Sequence, residues 1–182
     1  MKNAPKKLLS IQDISCFGQC SLTVALPVIS ACGVETAILP SAVLSTHTAP
    51  GFKNWTFRDL TDDMGLIEKS WLENGVKFDA FYTGYVCASQ IDPILSIMDS
   101  CKADGALRIV DPAMADNGKL YPGFADDFPM QMKRLCVGAD YILPNLTEAA
   151  FLLGREPVLS GYDERFVVDT LHALHDIGAR NV

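Results

Sequence analysis

Two aspartates, Asp111 and Asp116, stand five residues apart in the stretch IVDPAMADNGKLYPG, just after the apolar run Ala106-Leu107-Arg108-Ile109-Val110. Farther on, Asn145 and Glu148 follow the short apolar segment Tyr141-Ile142-Leu143. Carboxylates are hard oxygen ligands, and Asn145 adds an amide. Such groups suit Mg²⁺, which takes one or two carboxylates, keeps several waters and bridges phosphates. A second set differs in kind: His47 and Thr48 in VLSTHT, and Tyr85 in FYTGY. These residues suit a small polar aromatic or sugar-like ligand. A metal–phosphate side and an organic side together are what phosphoryl transfer from a nucleotide requires. Neither GxxxxGKS/T nor GxGxxG occurs, and the turn Cys16-Phe17-Gly18-Gln19 offers a single glycine.

Each candidate also has a plain structural reading. Asp111 before Pro112 can start a turn, and Asp116-Asn117-Gly118 is a good turn sequence. Asn145 can cap a following helix, with Glu148 in its first turn compensating the dipole. Tyr85 can be a packing residue with a satisfied hydroxyl. His172 and His175, three apart, fit a solvated helix face, and Cys16-x-x-x-Cys20 lacks the spacing of a zinc or redox pair.

The elements that must position these residues follow from apolar periodicity. Strands are predicted over Leu8–Gln12, Val34–Leu39, Ala80–Thr83, Ala106–Val110 and Tyr141–Leu143. Helices are predicted over Cys20–Cys32, Leu60–Asn74, Pro93–Lys102, Met130–Val137, Thr147–Leu153 and Asp163–Ile177, with Leu22, Ala25, Leu26 and Ile29 as the inner face of the first. Ser41–Asn54 reads as a long loop. Strand–helix alternation of this kind argues for an α/β fold with a parallel sheet covered by helices. In such sheets ligands bind beyond the carboxyl ends of the strands. There Gln12-Asp13, Ser45–Thr48, Thr83–Tyr85, Asp111 and Asn145 all fall, and that convergence weighs more than any one residue.

Composition narrows the class. The chain has 182 residues, 49% hydrophobic and 20% charged, which suits one globular domain spanning 1–182. A net charge of −7, with no basic run beyond Lys6-Lys7, argues against nucleic acid or anionic lipid as a partner. The apolar stretch from Val24 to Val34 is interrupted by Pro27 and Ser30 and is too short to cross a membrane, and no signal-peptide core is present. A cytoplasmic protein is expected, its six cysteines buried free thiols. After Gly178 the pattern calls for another strand, of which Val182 would be the first residue, so an incomplete chain is expected.

Taken together, LLSIQDISCFGQCSLTVALPVISACGVET, VLSTHT, FYTGY, VDPAMADNGKLYPG and ILPNLTEAAFLLG resemble the pyridoxal/pyridoxamine kinases of the ribokinase-like superfamily, in order from about Leu8 to Gly154. The specificity lies in the succession TGY, DPxxxD, PNxxE. The resemblance implies a ribokinase-like three-layer fold with a central, mostly parallel sheet. It implies ATP-dependent phosphorylation of the 5′-hydroxymethyl group of a vitamin B6 aldehyde, amine or alcohol. It places Asp111 and Asp116 over the ATP phosphates, Tyr121 in the stretch that shields them, and Asn145 at the phosphate end. Asp111 and Glu148 would help hold Mg²⁺, and His47, Thr48 and Tyr85 would line the pyridine pocket. A homodimer is implied as well, and a monovalent-cation requirement stays open. Where family members often carry a ring-contacting serine after SIQ, this chain has Asp13, a substrate-side candidate that would favour a protonated ring or an amine. The GTGD-type segment with the general-base aspartate is absent and is expected beyond Val182, which would leave this chain alone impaired. Hydroxymethylpyrimidine kinase activity, or B6 binding without turnover, are the alternatives.

Overall fold

A computed structural model describes residues 5–48 and 51–182. The chain divides into two compact units, Met1–Leu107 and Arg108–Val182. In the first, β1 (Lys7–Ser15) is followed by α1 (Leu22–Ala31), β2 (Glu35–Leu44), β3 (Phe57–Asp59), α2 (Thr61–Glu73), β4 (Phe78–Thr83) and α3 (Ile91–Ser100), with a short 3₁₀ turn at Ala88–Gln90. β5 (Lys102–Val110) begins in this unit and ends in the next. The second unit holds a small hairpin of β6 (Ala115–Asp116) and β7 (Lys119–Leu120), then α4 (Phe128–Cys136), β8 (Tyr141–Ile142), α5 (Leu146–Leu152) and α6 (Glu164–Asp176).

In the first unit β1 lies between β2 and β4, parallel to both, with Leu9 paired to Ala37 on one side and Phe81 on the other. A strand flanked in this way is buried on both faces, which explains why Leu8–Ile11 is buried at every position, Ser10 included, rather than at alternate ones. Leu9, Ile11, Leu39, Met64, Phe81, Ile91, Ile94 and Ile97 are fully buried and form the core. Trp71 meets Phe78 edge-on at 5.3 Å, and Phe78 meets Phe81 at 5.9 Å. Leu22 is the buried residue of α1, while Ala25, Leu26 and Ile29 are half-buried, so the expected inner face is the observed one. In the second unit the end of β5 runs parallel to β8, pairing Ile109 with Tyr141 and Val110 with Ile142. Phe128, Met132, Leu135, Cys136 and Ile142 form its core, and Phe124 stacks on Phe128 at 4.0 Å.

Three expectations need correction. Ser41–Leu44 is not loop: β2 continues through it. Between Gln12 and Ile14 the β1–β2 register shifts, as β2 advances from Pro40 to Val43. Proline has no N–H for the ladder, so an irregularity there lets the strand resume with Ala42-Val43-Leu44, which β3 then pairs antiparallel. β1 likewise extends past Asp13 to Ser15. Finally, the thiols are all free, yet only Cys101 and Cys136 are buried, and Cys16 and Cys32 are exposed. Among the described residues no helix is long and apolar enough to cross a membrane.

Candidate active site

The first unit carries the organic set. Asp13, inside β1 rather than beyond it, is buried, and its Oδ2 accepts the Ser15 hydroxyl at 3.1 Å. The Cys20 thiol in turn donates to Ser15 Oγ at 3.2 Å. The carboxylate is thereby oriented from its own strand. His47 is half-buried just after β2, and its amide donates to the Phe17 carbonyl at 3.2 Å. Its ring meets Phe52 edge-on with centroids 4.4 Å apart. Thr48 is exposed.

Tyr85 follows β4 in a turn held from beneath. Ser41 Oγ donates to the Tyr85 carbonyl at 2.8 Å. Gln90, fully buried, accepts the Cys87 amide at 2.9 Å and donates to the Ser41 carbonyl at 2.8 Å. A buried amide with such partners is a fixed post, because losing one leaves a desolvated polar group. Burial pushes the Tyr85 phenol well above its ordinary range, helped by Cys87, Asp13 and Asp59. It is a neutral hydroxyl at any working pH. Next to it, the fully buried Thr83 hydroxyl has no protein partner.

The second unit carries the acidic set. Asp111 is half-buried immediately after β5. Asp116 ends β6 and is exposed, its carboxylate accepting from the Asn117 amide at 2.8 Å and from Asn117 Nδ2 at 2.9 Å. Asn117 and Gly118 have φ of 50° and 77°, both in the left-handed region that a tight hairpin turn requires. Asn145 caps α5: its Oδ1 accepts the Glu148 amide at 2.9 Å, and Glu148 Oε2 accepts the Asn145 amide at 2.9 Å, a reciprocal capping box.

The same side chains also hold the hairpin. Asn145 Nδ2 donates to the Ala115 carbonyl at 2.8 Å, and Glu148 Oε1 accepts from the Met114 and Ala115 amides at 3.2 and 3.5 Å. Thr147, not singled out by the sequence, accepts the Gly118 amide at 3.0 Å. The capping reading of Asn145 and Glu148 is thus observed, and it fixes the loop that bears Asp116. Nothing in periodicity could reveal Thr147 or Gln90, since each acts on backbone distant in the chain.

Glu148 is 3% exposed. Burial raises its pKa, three backbone amides lower it, and the Asp111 charge raises it again, leaving it at about 7. Tyr121, half-buried, is pushed up by burial and then by Glu148, Asp116 and Asp111. Among the described residues no cluster of three or more His, Cys, Asp or Glu is set to hold a metal. The donors present are two carboxylates, Asp111 and Glu148. That suits Mg²⁺ completed by water and phosphate oxygens, not a cage made by protein alone.

Helix-covered, mostly parallel strands with acidic loops beyond their ends make a ribokinase-like α/β fold. No family model matches the chain. Individual relatives do. The chain is similar to the pyridoxal kinase of Dictyostelium discoideum, 27% identical over 97% of this chain and 58% of the relative. A protein from Bacteroides thetaiotaomicron, assigned as a phosphomethylpyrimidine kinase and crystallised with pyridoxal, is 37% identical with a TM-score of 0.90, over 97% of this chain and 61% of that one. Pyridoxal kinase from Lactobacillus plantarum is 32% identical with a TM-score of 0.87, over 97% and 62%. The fold is shared by Leishmania donovani pyridoxal kinase, solved with ADP and pyridoxamine, at 20% identity and a TM-score of 0.77, over 95% and 61%. The resemblance to pyridoxal kinases read from the sequence is borne out. The chain spans 50 to 58% of the length of three curated relatives, all named pyridoxal kinases.

Proposed function

We propose that this chain supplies the vitamer-binding and phosphate-binding residues of a kinase that transfers the γ-phosphoryl of ATP to the 5′-hydroxymethyl group of pyridoxal, pyridoxamine or pyridoxine. The observation that carries this reading is the Asp111–Glu148 pair. Burial holds Glu148 at about 7 and the Asp111 charge adds to the rise, so a cation bound there would relieve both. Mg²⁺ would be that cation and would orient the nucleotide phosphates.

The remaining roles are assigned to this chain's own side chains. Asp111 and Asp116 flank the phosphates, Tyr121 screens them from water, and Asn145 orients the phosphate end while capping α5. Asp13, His47, Thr48 and Tyr85 orient the pyridine ring. Tyr85 stays neutral, so it donates a hydrogen bond without adding charge. Pyridoxal in the Bacteroides protein, and ADP with pyridoxamine in the Leishmania enzyme, support the choice of ligands. A cytoplasmic homodimer is proposed on the same resemblance, and light scattering on the purified protein checks its assembly.

The test is titration of the protein with pyridoxal and with MgATP, followed by an assay of vitamer-dependent ATP consumption. Saturable binding of both is expected, with transfer, impaired in this chain alone, directed to the 5′-oxygen. Absence of vitamer binding overturns the reading. A hydroxymethylpyrimidine kinase is the second reading, favoured by the assignment of the Bacteroides relative. A panel in which hydroxymethylpyrimidine is used more efficiently than every B6 vitamer decides for it.

A further inference from the structure

The loop after β1 and the loop after β2 meet at one ring. His47 lies against Gly18, and its ring meets that of Phe52 at 71° with centroids 4.4 Å apart. Phe17 reaches Phe52 from the same loop as Gly18, at 6.0 Å, and its carbonyl accepts the His47 amide. Gly18 has φ of +108°, and a Cβ built on it would collide with His47 Cδ2 and lie 2.7 Å from Nε2. Two separate constraints thus fall on one position: a backbone that L side chains rarely adopt, and no room for a methyl.

From this we propose that Gly18 is a positioning residue: its bare Cα face is the wall that sets the plane of the His47 imidazole, with Phe52 as the ring's second contact. The inference rests on the vitamer-pocket reading of His47 and deepens it. An imidazole free to turn about χ1 and χ2 presents its nitrogens in many directions. One held by a glycine wall and an edge-to-face aromatic contact presents them in one, so less rotamer freedom is lost when a ligand binds. His47 owes its geometry to a contact from a distant loop, and a side chain at position 18 would rotate the ring out of register.

The substitution Gly18→Ala adds the colliding methyl. Because it also adds backbone strain, Gly33→Ala serves as the control: Gly33 has φ of +83° with nothing within 4 Å of an added methyl, so it carries strain without collision. Two readouts are used. The first is the His47 imidazole NMR signal, identified among the three histidines by its loss in His47→Ala. The ring current of Phe52 marks its position. Gly18→Ala is expected to shift this signal and Gly33→Ala to leave it in place.

The second readout is pyridoxal affinity, with ADP affinity as the internal control. Gly18→Ala is expected to weaken pyridoxal on the order of tenfold, the size of one lost polar contact, and to leave ADP unchanged. In a His47→Ala background the same substitution should have no further effect. An unmoved His47 signal overturns the proposal, as does a pyridoxal loss of equal size with His47 already removed. If the unaltered protein binds no pyridoxal, the kinase reading falls, and the NMR signal still decides whether Gly18 sets the ring.

Discussion

The two units hold their candidate residues by different means. In the first, Asp13, His47 and Tyr85 sit on or just after long strands and are fixed by packing and short polar relays: Ser15 on Asp13, Gly18 and Phe52 on His47, Ser41 and Gln90 beneath Tyr85. In the second, Asp111 and Asp116 sit on a loop and a hairpin of two-residue strands, tied down by Asn145, Thr147 and Glu148 reaching backbone atoms. A rigid wall suits a planar, nearly neutral ligand that must be oriented. A loop strapped by a few side-chain bonds suits a polyanion whose charge must be met and then released. The difference teaches that the acidic half depends on electrostatics far more than the organic half does.

The sharpest way to break that contrast is Asp111→Ala. It should weaken MgATP binding roughly a hundredfold, the scale of lost charge stabilisation at a phosphate, while pyridoxal affinity stays within about twofold. Calorimetric titration with each ligand checks it, and the opposite pattern would exchange the roles of the two units.

Next is the pH response. The carboxyl of Glu148 is raised from 4.5 to about 7, chiefly by burial. Between those values the folded chain keeps a proton that the unfolded chain has released. Stability from this group is therefore fully present below pH 4.5 and is lost as pH rises through about 7, by at most about 3 kcal/mol. Melting curves across that window should show the decline, and Glu148→Gln should flatten it. An unchanged slope in Glu148→Gln would mean that another group titrates.

A smaller effect is expected at Asp13. Replacement by serine should cut the preference for pyridoxamine over pyridoxal roughly tenfold, as one charge-assisted contact goes, with ADP affinity unmoved. A substrate panel measures this directly. Smallest is Thr147→Val, which orphans the Gly118 amide and should cost about 1 kcal/mol, read as a lowered melting temperature with pyridoxal affinity intact.

Much of this architecture was legible beforehand, for an identifiable reason. Buried parallel strands such as β1 and long amphipathic helices such as α6 leave a periodic signal, and both were expected within two or three residues at either end. β3 left none, because three exposed residues become a strand only by pairing with β2. The Asn117-Gly118 turn was visible, yet its strands are too short to show alternation. At the site, residue types and their gathering at strand ends were readable. That Asp13 lies within β1, that Glu148 gives its oxygens to three amides, and that a glycine in one loop walls a histidine in another depend on long-range approach. No local pattern records such contacts.

The edge-on aromatic contacts of β4 have an optical consequence. The chain's two tryptophans are Trp55 and Trp71, both in the first unit, and Trp71 reports directly on its core through Phe78. Intrinsic emission excited at the indole band is therefore blind to the second unit, whereas the far-ultraviolet dichroism of α4, α5 and α6 is not. Superimposed melts by the two probes would identify one cooperative transition. A dichroism change that precedes the emission change would show the acidic half coming apart while the organic half still stands.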